Sequence, residues 1–242
     1  MKKTLTLILA LIIMVFSLAG CGSSKNHSNN TSQSQPSSTE QSKTTAPPAV
    51  GIASAAKKEG TKTLVVYFSM PETTKPNNMT QEEDNSTVVI NGEVIGNTQY
   101  VAYLIQTNTS ADIFRIEPKT PYPTNHKTLV DLAKVEQNNK ARPELAATVD
   151  NLGKYDVIFL GYPNWWGDMP MILYSFLESH NLSGKTIIPF NTHGGSEFSN
   201  TINSISALQP NASVIKNGFT VSRNTVQNCA DDVATWVKDL GY

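Results

Sequence analysis

Three polar stretches, each closing an apolar run, carry the residues of this chain best suited to holding a small ligand. The first is divided. Ser69 ends "LVVYFS", and Asn97, Thr98 and Gln99 come later, in "GNTQYVAYLI", where an amphipathic helix should begin. A helix N-terminus offers unpaired N–H groups and the positive end of a dipole, so these hydroxyl and amide residues can seat a phosphate without a cationic side chain. The simpler role of Asn or Thr at that position is a helix cap.

The second stretch is "GYPNWWGDMP" (161–170), with Trp165 and Trp166 adjacent at a strand end. Successive residues there point in different directions. That suits either a braced loop or a planar ligand lying against indole, with Pro163, Asn164 and Gly167 along its edge. The third is "NTHGGSEFSN" (191–200), where Gly194 and Gly195 expose backbone N–H groups to developing negative charge. Thr192 and His193 precede them; the imidazole titrates in a range useful for proton traffic, or simply bonds its own loop. Phosphate cradle, aromatic platform and glycine-rich edge, converging from consecutive strand ends, together suit flavin mononucleotide (FMN).

For these stretches to meet, the apolar runs before them must be neighbouring strands. Residues 63–68, 111–116, 156–162, 186–190 and 213–221 read as strands, and their continuous apolar character suits a sheet covered on both faces. Helices are expected at 97–108, 125–138, 169–180, 196–208 and 224–240. Such alternation implies right-handed crossovers and an α/β, doubly wound sandwich of about five parallel strands. Between the first strand and its helix lies an insertion, 70–95. It reads as a polar loop to Asp84 and then a β-hairpin over 87–95 turning at Asn91-Gly92. In the last helix, Asn224 and Gln227 suggest a capping box, and Cys229 falls on the buried face as an inert thiol.

The first sixty residues are of another kind. Residues 1–20 have a short basic start and an apolar run, as in a signal peptide, and "LAGC" resembles the lipobox of bacterial lipoproteins, which implies cleavage and lipidation at Cys21. Residues 21–60 are rich in Ser, Asn, Gln, Thr and Pro and read as a flexible linker, leaving 61–242 as the globular domain. With Cys21 lipidated, Cys229 is the one remaining cysteine, so neither an intramolecular disulfide nor a cysteine-based metal centre is expected. A net charge of −1 without a basic run argues against a nucleic-acid partner. No G-x-S-x-G elbow supports an α/β hydrolase.

Taken together, "LVVYFS", "GNTQYVA", "YDVIFLGYPNWWGDMP" and "GKTIIPFNTHGGS" resemble the successive signatures of flavodoxin-family proteins. The resemblance implies a flavodoxin-like three-layer sandwich with strand order 2-1-3-4-5 and FMN above the sheet. It places Ser69, Asn97, Thr98 and Gln99 at the phosphate, Pro163, Asn164, Trp165, Trp166 and Gly167 along the ring, and Thr192, His193, Gly194 and Gly195 at the pyrimidine edge. The chain departs from electron-carrier flavodoxins in two ways: the insertion splits the phosphate motif, and no aromatic follows "THGG" to cover the second ring face, leaving Phe198 as the substitute. The expected function is that of an FMN-binding redox protein at the outer face of the cytoplasmic membrane. It would serve as an electron carrier or a small NAD(P)H/quinone-type oxidoreductase with an unidentified redox partner. The alternative is a flavin-free binding lipoprotein on the same fold.

Overall fold

A computed structural model describes residues 60–242; the expected signal peptide, Cys21 and linker to residue 59 lie outside the described residues. The apolar run after Lys62 forms β1 (Thr63–Tyr67), and the insertion folds as α1 (Gln81–Ser86), β2 (Thr87–Ile90) and β3 (Glu93–Gly96). There follow α2 (Asn97–Thr109), β4 (Asp112–Arg115), α3 (His126–Asn138), β5 (Val157–Pro163) and α4 (Met171–Ser179). The chain ends with β6 (Thr186–His193), α5 (Thr201–Leu208), β7 (Ser213–Val214), β8 (Phe219–Ser222) and α6 (Ala230–Asp239).

The main sheet runs β4-β1-β5-β6, with β7 and β8 both on the far edge of β6 and every pairing parallel. This is the 2-1-3-4-5 order, with the fifth strand in two pieces where the sequence suggests one. The break has a chemical cause. β7 pairs with Thr186 and Ile187, β8 with Phe190 to His193, and between them stands Pro189, which has no N–H to give. Gly218 fills the gap, since a Cβ there would lie 2.2 Å from the Pro189 carbonyl oxygen.

Alternation along β1 divides the core. Leu64, Val66 and Phe68 pack with Leu129 of α3, Ile172 of α4 and Ile205 of α5, whereas Val65 and Tyr67 pack with Val101 of α2 and Val233 of α6. Helices therefore cover both faces, which is why the strands are apolar throughout.

The hairpin forms as expected around Asn91 and Gly92, both at positive φ. Three sequence expectations are corrected. The loop to Asp84 contains α1, a short polar helix held by a capping box in which Thr80 and Glu83 each accept the other's N–H. α5 starts at Thr201 rather than Ser196, because Glu197 and Ser199 take left-handed backbone conformations that no helix tolerates. The last helix starts at Ala230 after a 3₁₀ turn over Val226–Asn228, and Asn224 and Gln227 form no capping box. Cys229 is buried, and burial pushes its thiol up to about 11, so it is inert as the sequence suggests.

Gly161, in the middle of β5, is paired with Phe190 of β6, and a Cβ at 161 would lie 2.1 Å from the Phe190 ring. Gly161→Ala should therefore cost about 2–3 kcal/mol in urea denaturation, with part recovered by adding Phe190→Leu. An unchanged midpoint for the single variant would show that the ring yields freely.

Candidate functional site

The carboxyl ends of β1, β5 and β6 open onto a cavity of about 290 Å³. All of the residues expected at the site line it except Gln99, Gly167 and Gly195.

At one end, Ser69 and the start of α2 meet in spite of the insertion. Gly96 is the N-cap of α2 and has no side chain to accept a helix N–H, so the Ser69 hydroxyl does so, taking the Gln99 N–H at 3.2 Å. A Cβ on Gly96 would lie 2.1 Å from Ser69 Oγ, so glycine is what lets strand end and helix start touch. Arg115 donates to the Ser69 carbonyl from below, at 3.2 Å. Asn97 Nδ2 donates to the Asn85 carbonyl at 2.8 Å, while its Oδ1 is buried without a partner. The hydroxyls of Thr98 and Thr192 share a 2.8 Å hydrogen bond, tying the helix start to the end of β6. The Gln99 side chain turns along the helix to Tyr103, so this residue contributes only its N–H. Thr73, another hydroxyl of the insertion, accepts the Lys75 N–H and does not line the cavity.

The tryptophan loop is a tight reversal. Trp165 and Asp168 exchange N–H···O bonds of 2.9 and 3.1 Å across Trp166 and Gly167, which sit at φ of 56° and 76°. Positive φ at both central positions is the pattern of a type I′ turn, which explains Gly167; for Trp166 the conformation is strained. Its indole Nε1 donates to the Val130 carbonyl, its ring lies 5.0 Å from Lys134 Nζ, and its carbonyl accepts from Gln137, so three residues of α3 hold it. Trp165 packs edge-on against Phe68 and Tyr122 at 5.5 and 5.6 Å and forms a half-buried wall. The two indoles thus divide the roles that the sequence left open between platform and brace. Asn164 is committed to bracing: its amide donates to the Glu197 carbonyl and Ser199 hydroxyl and accepts the Gly167 N–H.

In the glycine loop, His193 Nδ1 accepts the Gly195 N–H at 2.9 Å, which places the proton of the neutral ring on Nε2. Desolvation holds its pKa below the ordinary histidine value, against an opposing pull from Glu197. Gly195 is thus spent on His193 rather than on the cavity. Phe198 is packed against the core with its ring by Gly218, and does not cover the cavity.

Several lining residues went unrecognised in the sequence. Glu72, from the insertion, is 8% exposed at its side chain and lies 3.0 Å from His126 Nδ1 at the start of α3; its N–H donates to Ser86 Oγ. Glu82 also lines the cavity. Arg223 follows β8 as the other site residues follow their strands, a positional signal that was available, and its guanidinium lies over Gly194.

A profile of the flavodoxin family matches residues 87–240, more than half of the chain. The chain belongs to the flavodoxin family. No curated protein shows a significant match to this flavodoxin-family chain. Among solved structures, a protein of Bacteroides eggerthii DSM 20697 classed as a flavoprotein is 27% identical, with 75% of this chain and 98% of that chain aligned and a TM-score of 0.56. Another so classed, from Bacteroides uniformis ATCC 8492, is 26% identical over 74% of this chain and 99% of that chain, with a TM-score of 0.52. The profile match begins at β2, inside the insertion, so Ser69 lies before it and is tied to the site by geometry.

Because Gly96 and Ser69 touch, their substitutions should couple. Gly96→Ala is expected to cost about 1–3 kcal/mol in the native chain and about 1 kcal/mol less in a Ser69→Ala background, where the obstructing oxygen is gone. A double-mutant cycle by urea denaturation measures this; purely additive costs would contradict the contact.

Proposed function

We propose that this chain binds FMN in the cleft and passes electrons through it, as a carrier or small oxidoreductase, while a lipid on Cys21 holds it at the outer face of the cytoplasmic membrane. One observation carries the proposal: a strand-end hydroxyl and a helix N-terminus, 30 residues apart, are joined through the Ser69–Gln99 bond within the cleft that Trp165 and Thr192 also line.

The residues present fit the cofactor. Hydroxyls of Ser69 and Thr98 cluster at an end of α2 whose first N–H groups have no intrahelical acceptor, a donor set suited to a phosphate, and Thr192 bonds Thr98 from the end of β6. Gly96 lets the Ser69 hydroxyl reach the helix start, since a Cβ there would lie 2.1 Å from its Oγ. When bound, FMN supplies reversible one- or two-electron transfer. The chain's part is to bind and orient it. Trp165 offers a wall fixed by Phe68 and Tyr122, the Thr98–Thr192 bond holds the phosphate end against the end of β6, and His193 presents a neutral ring with its proton on Nε2.

A flavin-free binding module is the second reading, and one observation favours it: the carboxylates of Glu72 and Glu82 line the same cleft and oppose a phosphate dianion. Fluorescence separates the two. Titrating the full-length chain with FMN should quench flavin and tryptophan emission and saturate at one FMN per chain, and Thr98→Val should weaken binding about tenfold through loss of a phosphate donor. No quenching of either signal would exclude FMN and leave the binding module.

A further inference from the structure

We propose that Arg223 is a ligand of the flavin's pyrimidine edge and that its charge raises the reduction potential, an inference that rests on the FMN proposal above. The Arg223 N–H donates to the His193 carbonyl at 2.8 Å, so the segment after β8 is fastened to the end of β6. The guanidinium lies on Gly194: a Cβ there would be 3.2 Å from Cζ and 3.4 Å from Nε and Nη1. A side chain at 194 would press on the guanidinium and shift it by a few tenths of an ångström, so the glycine lets the arginine lie close against the loop.

Arg223 is the one lysine or arginine among the described residues that line the cleft. Arg115 donates to the Ser69 carbonyl and Arg142 forms a two-pronged pair with Glu178. The Arg223 guanidinium, by contrast, makes no hydrogen bond or ion pair among the described residues and is left for a ligand. It is also set apart from the cleft's acidic side, since Glu72 follows β1 and Arg223 follows β8, with β5 and β6 between them.

Two sites on FMN carry negative charge, and they have different consequences. The phosphate has the same charge in oxidised and reduced cofactor, so an arginine there strengthens binding of both forms and leaves the potential unchanged. The pyrimidine edge gains charge only on reduction: two electrons and one proton, the proton bonding to N5, leave one negative charge shared by N1 and the C2 carbonyl. A guanidinium at that edge binds the reduced form more tightly and makes reduction easier. Ser69 follows β1 and Arg223 follows β8, with β5 and β6 between them, so Arg223 stands away from the phosphate seat and beside the glycine loop, which assigns it to this second site.

The test is a potentiometric titration of the FMN-loaded full-length chain with dithionite as electron donor and solvent as proton donor. Arg223→Gln should lower the preference for reduced over oxidised FMN at least tenfold, which is about 30 mV per tenfold for a two-electron couple. Arg223→Lys should recover part of the loss. The side chain hydrogen-bonds no other residue among those described, so thermal unfolding should be that of the native chain. An unchanged potential with weaker binding of FMN but not of riboflavin would move Arg223 to the phosphate and overturn the inference, as would no change in either. Failure of the native chain to take up FMN would be a different result: it would sink the FMN proposal and this inference with it.

Discussion

Helix α2 opens with N–H groups that nothing inside the helix can accept, and the structure around the cleft is arranged to answer them. Ser69 does so from the end of β1 although the chain makes a long excursion between the two. This imposes closure on the insertion: it must return to the point it left. The hairpin does this by pairing Thr87 with Gly96, which sets the start of α2 beside the end of α1. Asn85 and Ser86 then bond to Asn97 and Glu72, the residues on either side of the gap. The insertion is therefore a wall of the site as well as a detour around it.

The parallel sheet places the other two loops, and the loops then hold each other. Asn164 takes its backbone partner from Thr192 on β6 and its side-chain partners from Glu197 and Ser199, so the tryptophan and glycine loops form one braced unit. Trp166 is fastened to α3 from outside, and Trp165 is wedged between Phe68 and Tyr122. Most polar side chains at the rim are thus satisfied by one another. A planar ligand would meet a preformed surface and would order few groups on binding.

The strands and helices were legible in the sequence because continuous apolar strands and amphipathic helices are set by burial, a constraint that acts on every residue of an element, whereas the strand order came from the resemblance to the flavodoxin family. The convergence of Ser69 with Asn97 and Thr98 was also legible once the Asn91-Gly92 hairpin was recognised as an excursion. What the sequence concealed depends on single contacts. Pro189 and Gly218 split the last strand through one missing N–H and one close approach. Gln99 and Gly195 satisfy local hydrogen bonds in place of the cleft, as side chains and amides do wherever a nearer partner exists. Glu72 and His126 reach the site through tertiary packing, and no motif marks them, whereas Arg223 is marked only by its place after a strand.

With FMN as the proposed cofactor, Ser69 and α2 are the two halves of a divided phosphate seat, rejoined by the Ser69–Gln99 bond. A crystal structure of the chain grown with FMN tests it most directly. The phosphate should lie within hydrogen-bond distance of Ser69 Oγ and the N–H groups of Asn97 and Thr98, with the ring along Trp165 and its edge at Thr192–Gly194. A phosphate seated elsewhere, or a cleft that excludes FMN with the Ser69–Gln99 bond intact, would contradict it.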